Sequence, residues 1–280
     1  MQLDRTERIA FLGGGNMARA LVGGLLRQGW PAERLAVTET RTAMREAFAH
    51  EFGVTVAGDP SVLADAAVVV LAVKPQDARS ALSGLPPLRF AREALLLSIA
   101  AGLPIAEIAR HAPRELAVVR AMPNRAALVG AGVTALYAPA SIGALARERA
   151  EAIGHAVGKT VWLRSEPQLD VVTALSGSGP AYFFLLAEQL ASAACELGLP
   201  LETATLLANE TLYGAGQLAR HAAAAGTTLA DERVAVTSPG GTTAAALAVL
   251  AAGGFEQLIG SALRAAAARA AELSAPAGGA

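Results

Sequence analysis

At 280 residues, 53% hydrophobic and 17% charged, the chain is long enough for one large or two ordinary buried cores. A net charge of −1, with both signs scattered along the chain, gives no case for nucleic acid or an anionic membrane surface as partner. Only 4% of residues are aromatic, so Ala and Gly supply much of the apolar count, and close helix packing is the expected use of such small side chains.

The elements follow in order. Arg8 to Leu12 reads as a buried strand, followed by a Gly-rich turn and a helix over residues 16–28. A second strand covers Leu35 to Thr38, with its helix over 42–52, and Val54 to Val56 makes a short third. Val68 to Val73 is the strongest strand pattern, apolar on both faces as a central parallel strand is, and Lys74-Pro75 ends it. Residues 94–98, 116–120, 132–136 and 160–163 add strands, with helical pieces between most of them. This alternation predicts an α/β fold built on a Rossmann-type, doubly wound parallel sheet over residues 1–164. After Ser165-Glu166-Pro167 the β-branched runs nearly vanish. Helical patterns over 180–197, 201–221, 242–251 and 255–273 predict an all-helical second domain over 165–274, with 275–280 a disordered tail. Those helices are apolar around much of their circumference, which predicts an obligate homodimer through them.

Other chemistries are excluded by simple counts. Cys195 is the only cysteine, so an internal disulfide and a thiolate metal cluster are both ruled out, and its apolar surroundings make it a core residue. His50, His111, His155 and His221 are isolated, so no metal site is expected. The longest uninterrupted apolar stretches, 66–73 and 244–252, fall far short of the roughly 20 residues that span a membrane. Asp4, Arg5, Glu7 and Arg8 break any apolar leader, and a soluble cytoplasmic protein is the expectation.

Two segments carry chemistry. Gly13-x-Gly15-x-x-Ala18 is the dinucleotide fingerprint, placed after a strand and opening a helix. Gly13 permits the tight turn, Gly15 lets backbone approach the pyrophosphate, and Ala18 lets helix pack on strand. Leu12, Gly14, Asn16 and Met17 complete that turn. At the end of the second strand Glu39 can accept from a ribose hydroxyl, favouring NADH, whereas Arg41 with the Thr38 and Thr40 hydroxyls can hold a 2′-phosphate, favouring NADPH. The sequence leaves both open.

Near the other end, Thr237-Ser238-Pro239-Gly240-Gly241-Thr242-Thr243 precedes an Ala-rich helical run. Ser238 and the backbone N–H groups of Gly241 and Thr242 can cage a small carboxylate at a helix N-terminus, with Gly240 and Gly241 letting the backbone come close. A nucleotide turn and an anion cage in one chain point to a redox enzyme acting on a small carboxylate.

These segments, together with Ala72-Val73-Lys74-Pro75-Gln76, Ser98-Ile99-Ala100-Ala101-Gly102, Arg120-Ala121-Met122-Pro123-Asn124 and Ala174-Leu175-Ser176-Gly177-Ser178-Gly179-Pro180-Ala181-Tyr182, resemble pyrroline-5-carboxylate reductases in order and spacing over residues 8–272. The resemblance implies reduction of 1-pyrroline-5-carboxylate to L-proline by NADPH or NADH, the last step of proline biosynthesis. It implies a cofactor domain, a helical dimerisation domain, dimers sometimes assembled into decamers, and active sites between one subunit's cofactor domain and its partner's helices. It places the Thr243 hydroxyl at the substrate ring nitrogen and Ser176 beside nicotinamide and substrate. Ala72, Val73, Lys74, Pro75, Ala100 and Ala101 fall on the cofactor edge, and Asn124 at the nicotinamide carboxamide. Residues 176–180 are also expected to cap the helix they open.

β-Hydroxyacid dehydrogenases, other imine reductases and a non-catalytic nucleotide-binding regulator are the alternatives. The first of these keep a lysine on the helix opening the second domain, and that helix here begins Gly179-Pro180-Ala181-Tyr182 without one. A protonated imine is already electrophilic, so positioning does much of the work and no strong base is needed. The family often carries a Glu and a Pro before the Ser-Pro-Gly-Gly turn; residues 222–233 here lack the proline, and no role is carried over to them.

Overall fold

A computed structural model describes residues 4–275. Eight strands form one sheet in the order β3-β2-β1-β4-β5-β6-β7-β8. They are β1 Ile9–Leu12, β2 Leu35–Thr38, β3 Thr55–Ala57, β4 Val68–Leu71, β5 Leu95–Ser98, β6 Ala117–Met122, β7 Gly132–Tyr137 and β8 Gly158–Trp162. The helices beside them are α1 Asn16–Arg27, α2 Thr42–Phe52, α3 Pro75–Ser83, α4 Ile105–His111 and α5 Ala144–His155. β1, β2, β4 and β5 are buried throughout, as continuous apolar runs in a covered sheet must be. Successive residues feed opposite faces. Ile9, Phe11, Val68, Val70, Leu95 and Leu97 pack with Leu21 and Leu25 of α1 in one core. Ala10, Leu12, Val69, Leu71 and Leu96 join Ala78, Leu82 and Ile108 in the other.

One pairing departs from the expected parallel sheet. β6 and β7 run antiparallel, with Arg120 opposite Tyr137 and Met122 opposite Ala135. The link between them, residues 123–131, holds only a short 3₁₀ turn (Arg125–Val129). A parallel return needs a crossover of about a dozen residues or more, so the strand turns back. β8 then runs parallel to β7 through α5.

The described chain forms two compact units, residues 4–177 with 266–275, and residues 178–265. The first includes residues 165–177. Leu169 and Ala174, on α6 (Gln168–Val172) and the π-helical turn Thr173–Gly177, are buried in it. The end of the chain returns to the same unit, where the Ser274 hydroxyl donates to Asp170 (2.9 Å). Of the expected tail 275–280, all but Ala275 lies outside the described residues.

The second unit consists of α7 Gly179–Glu196, α8 Leu201–Ala225, α9 Leu229–Ala235, α10 Thr242–Ala252 and the start of α11 (Phe255–Ser274). α9 was not expected from the sequence. α7 and α8 pack along one another through Ala187, Ala191 and Ala204, small side chains that let the helices approach. Outside that seam Phe183, Phe184, Leu185, Leu206 and Leu207 are exposed, and α10 buries no residue. The helical run Gln168–Glu196 is long and apolar enough to cross a membrane by length and composition. So, as a pair bent by 57°, are Thr242–Ala252 and Phe255–Ser274.

Candidate active site

In an open sheet with this strand order, ligands bind beyond the C-terminal ends of the strands where the order reverses, between β1 and β4. A cleft of about 540 Å³ lies there. Its walls are Leu12 to Gly15 after β1, Thr38 to Arg41 after β2, Ala72 to Lys74 after β4, and Asp77, Ser80 and Ala81 of α3.

The turn after β1 is shaped by its glycines. Gly13 has φ +110°, and a Cβ on it would lie 2.8 Å from the Ala72 carbonyl oxygen, so no other residue fits. Its amide donates to the Thr38 carbonyl (3.1 Å) and hydroxyl (3.2 Å), while that hydroxyl donates to the Phe11 carbonyl (3.3 Å). Gly15 is the N-cap of α1, and no side chain caps the helix. A Cβ on Gly15 would meet only Ala72 O, at 3.8 Å. Protein packing therefore does not demand glycine there; open backbone at a helix N-terminus lining a cleft suits a phosphate. Ala18 is fully buried where α1 packs on the sheet. The residues present thus fit a dinucleotide.

The electrostatics of the cleft centre on Glu39. Its side chain is 7% exposed, and its carboxylate accepts from the Arg41 amide (3.0 Å), Nε (3.0 Å) and Nη2 (3.1 Å). The Arg41 guanidinium bond, more than any other contact, holds the Glu39 carboxyl below the ordinary range against the opposing effect of burial; the Arg41 and Gly14 amides add to it. Arg45 Nη1 donates to the Glu39 (3.0 Å) and Thr40 (2.6 Å) carbonyls, and its Nη2 to Thr42 (2.9 Å), fixing the loop.

Several expected residues stand elsewhere. The Thr38 hydroxyl is buried and bonded to backbone, so it is not open to a 2′-phosphate. Asn16 is exposed at the start of α1, and Met17 packs on the core. Pro75 takes the first turn of α3, where its missing N–H costs nothing; β4 had already ended at Leu71. Pro75 and Ala101 line a second cavity of about 660 Å³, with Arg79, Glu107, Asp170 and Leu273. Ala100 is buried in the core. Asn124 does not line the cleft. Its Nδ2 donates to the Ser176 carbonyl (3.2 Å) and its Oδ1 accepts from the Val133 amide (3.1 Å), tying β6 to β7 and to the π turn.

Ser176 and its neighbours do not cap α7 as expected. The Ser176 hydroxyl donates to the Val172 carbonyl (3.1 Å), and Ser178 is helical, with no capping side-chain bond. Helical backbone arrives from α6 through the π turn, so no free helix start exists to be capped.

In the second unit, Ser238 to Gly241 form a tight turn closed by the Gly241 amide donating to the Ser238 carbonyl (3.0 Å). Pro239 and Gly240, the latter at φ +69°, take the central positions as a type II turn requires. The turn delivers Gly241 as N-cap of α10, with Thr242 and Thr243 in the first helical turn and no side-chain cap. Backbone donors at an uncapped start, flanked by hydroxyls, can bind a carboxylate. Among the described residues, no group of three or more His, Cys, Asp or Glu is placed to hold a metal ion.

The chain is similar to known proteins over nearly its whole length. Residues 166–273 match the family model for pyrroline-5-carboxylate reductase dimerisation, and residues 8–102 that for NADP oxidoreductases, coenzyme F420-dependent. The pyrroline-5-carboxylate reductase of Pseudomonas aeruginosa is 44% identical over 270 residues, covering 96% of this chain and 97% of that protein. That of Haemophilus influenzae is 41% identical, covering 95% and 97%. Among solved structures, the enzyme from Coxiella burnetii superposes with a TM-score of 0.89 at 39% identity, covering 97% of this chain and all of that one. The Plasmodium falciparum pyrroline carboxylate reductase, solved with NADP bound, gives 0.78 at 25% identity, covering 97% and 99%.

Proposed function

Because the chain belongs to the pyrroline-5-carboxylate reductase family, we propose that the helix starts at Gly15 and Gly241 hold the two reactants of one reduction. The enzyme reduces 1-pyrroline-5-carboxylate to L-proline with NAD(P)H, the last step of proline biosynthesis. When bound, the reduced nicotinamide supplies the hydride.

The chain's own residues bind and orient. Gly13, Gly14 and Gly15 with the first N–H groups of α1 hold the pyrophosphate, and Leu12, Ala72, Val73 and Lys74 wall it in. Lys74 acts through its backbone, which accepts from the Asp77 amide (2.9 Å), more than through its exposed ammonium. Ser238, Gly240, Gly241 and Thr242 cage the substrate carboxylate at the start of α10, and Ser176 lies on the substrate side of the π turn. The Thr243 hydroxyl holds the ring nitrogen, orienting the imine and relaying its proton. No strong base is required, and α7 carries no lysine of the kind that alcohol oxidation uses.

The protein associates with itself through the second unit. We place its dimers in decamers and the enzyme in the cytoplasm, with substrate and further copies of itself as partners rather than nucleic acid, membrane or metal. A dimer leaves an active site between the nucleotide unit of one subunit and the α10 entrance of the other. The apolar faces of α7, α8 and α10 favour this over a membrane, because a second copy covers them without taking Asp170, Glu188 or Glu196 into lipid.

The observation that carries the reading is the family match over residues 166–273, with the Pro239-Gly240 turn inside it. The test is steady-state oxidation of NADPH and NADH by purified protein with the cyclic imino acid. Thr243→Val is expected to lower kcat about 100-fold, in the range of a lost acid–base group, while leaving cofactor Kd near wild type. Unchanged turnover would remove Thr243 from the reaction.

A further inference from the structure

From the geometry around Glu39 we infer that this enzyme selects NADH over NADPH, with Glu39 as the residue that discriminates. The inference rests on the reading of the Gly13–Gly15 cleft as the nucleotide site.

The end of β2, beside a nucleotide turn after β1, is where an adenosine ribose presents its 2′ position in this fold class. What stands there decides between a hydroxyl and a phosphate. In this chain it is a fixed carboxylate. Glu39 is anchored at its amide, which donates to the Ala57 carbonyl (2.9 Å), and at its carbonyl, which accepts from Arg45 (3.0 Å). Its carboxylate is clamped by Arg41 at both oxygens. A Cβ on Gly14 would lie 3.4 Å from Glu39 Oε2, so the charge sits against the dinucleotide turn itself. That carboxylate accepts from ribose hydroxyls and repels a phosphate.

The cations nearby do not offset it. Arg41 would be the obvious phosphate ligand, yet two of its nitrogens and its amide are bound to Glu39. Taking them away to meet a phosphate would leave a nearly buried carboxylate without its partner beside a second anion. The Arg45 guanidinium is bound to the Glu39 and Thr40 carbonyls and to Thr42. Thr38, whose hydroxyl would otherwise help, is bonded to Phe11 and Gly13. Lys74 lines the cleft after β4, and the carboxylate of Asp77 on α3 lines it too.

Calorimetric titration of the full-length protein with NADH, NADPH, ADP-ribose and 2′-phospho-ADP-ribose tests this without turnover. Wild type is expected to bind each unphosphorylated ligand at least about tenfold tighter than its phosphorylated counterpart, the scale of one charged hydrogen bond gained or lost. Glu39→Gln keeps the shape, removes the charge, and should bring the ratio close to one. Arg41→Ala should not improve NADH selectivity, because the guanidinium orients the carboxylate and is not a phosphate ligand. Tighter NADPH binding by wild type, abolished by Arg41→Ala, would overturn the inference, as would equal affinities that Glu39→Gln leaves unchanged. Failure of every ligand to bind would instead overturn the cleft as the nucleotide site, and the inference with it.

Discussion

Gly13 and Gly15 stand two residues apart, and their surroundings differ. Gly13→Ala places a methyl 2.8 Å from the Ala72 carbonyl oxygen on a backbone at φ +110°. The left-handed conformation costs about 1–2 kcal/mol, and the overlap about 1–3 kcal/mol more. A sum near 3 kcal/mol corresponds to a Tm lowered by roughly 6–12 °C. Gly15→Ala meets only Ala72 O at ordinary contact distance, with φ −72° that any residue adopts. Its stability cost is the poorer N-cap, about 1 kcal/mol at most. Its methyl instead enters the cleft, in the space proposed for the pyrophosphate. Losing one charge-assisted bond of about 1.5–3 kcal/mol raises the NAD(P)H Kd roughly 10- to 150-fold. Thermal scanning of the free proteins and calorimetry with NAD(P)H read the two effects separately. Wild-type affinity in Gly15→Ala, or a Tm loss there as large as in Gly13→Ala, would refute this division.

The side chain of Arg149 is 4% exposed and donates to Glu7 (Nε, 3.0 Å) and to the Glu93 carbonyl (2.6 Å). Arg149→Met should cost about 3 kcal/mol by leaving Glu7 without its partner, and adding Glu7→Gln should recover part of it in chemical denaturation. The Glu39 carboxyl titrates lower in the folded chain than in the unfolded one, chiefly through its bond from the Arg41 side chain. Its stabilisation is therefore fully present above the unfolded value and lost as pH falls through the lower folded value. Glu39→Gln should melt below wild type at neutral pH, with the gap closing as melts are taken into the acid range where the wild-type carboxyl protonates. Light scattering at micromolar concentration should give a dimer or a larger even-numbered assembly; a monomer would refute the assignment of the exposed faces of α7, α8 and α10 to self-association.

Much of this was legible in the residues because local chemistry and global fold agree. α2 spans 42–52 as expected, since β-strand texture stops at Thr38 and Gly53 ends the helix at φ +64°. The fingerprint at Gly13, Gly15 and Ala18 and the Pro239-Gly240 turn lie where their sequence signals put them. The antiparallel β7 was missed because direction is not written in a strand's own residues; the shortness of residues 123–131 was the signal for it. α9 has seven residues, too few for periodicity to show, yet Thr228 and Asp231 form a reciprocal capping box that announces its start. Asn124 and Thr38 look like ligand groups in a motif. Whether their polar atoms are already bonded depends on strands that only the fold brings near. Nor does anything in residues 173–177 foretell a π turn.

The last turns of α11 return to the first unit, where Ala270 is buried and Ser274 is bonded to Asp170. The first unit is thus assembled from two stretches far apart in the chain, and residues 4–177 alone lack the helical turn that bonds Asp170. Without residues 266–275 that unit is left incompletely sealed around α6. One helix, α11, thereby serves both units, and a change in its last turns is felt in a domain built mostly from the other end of the sequence.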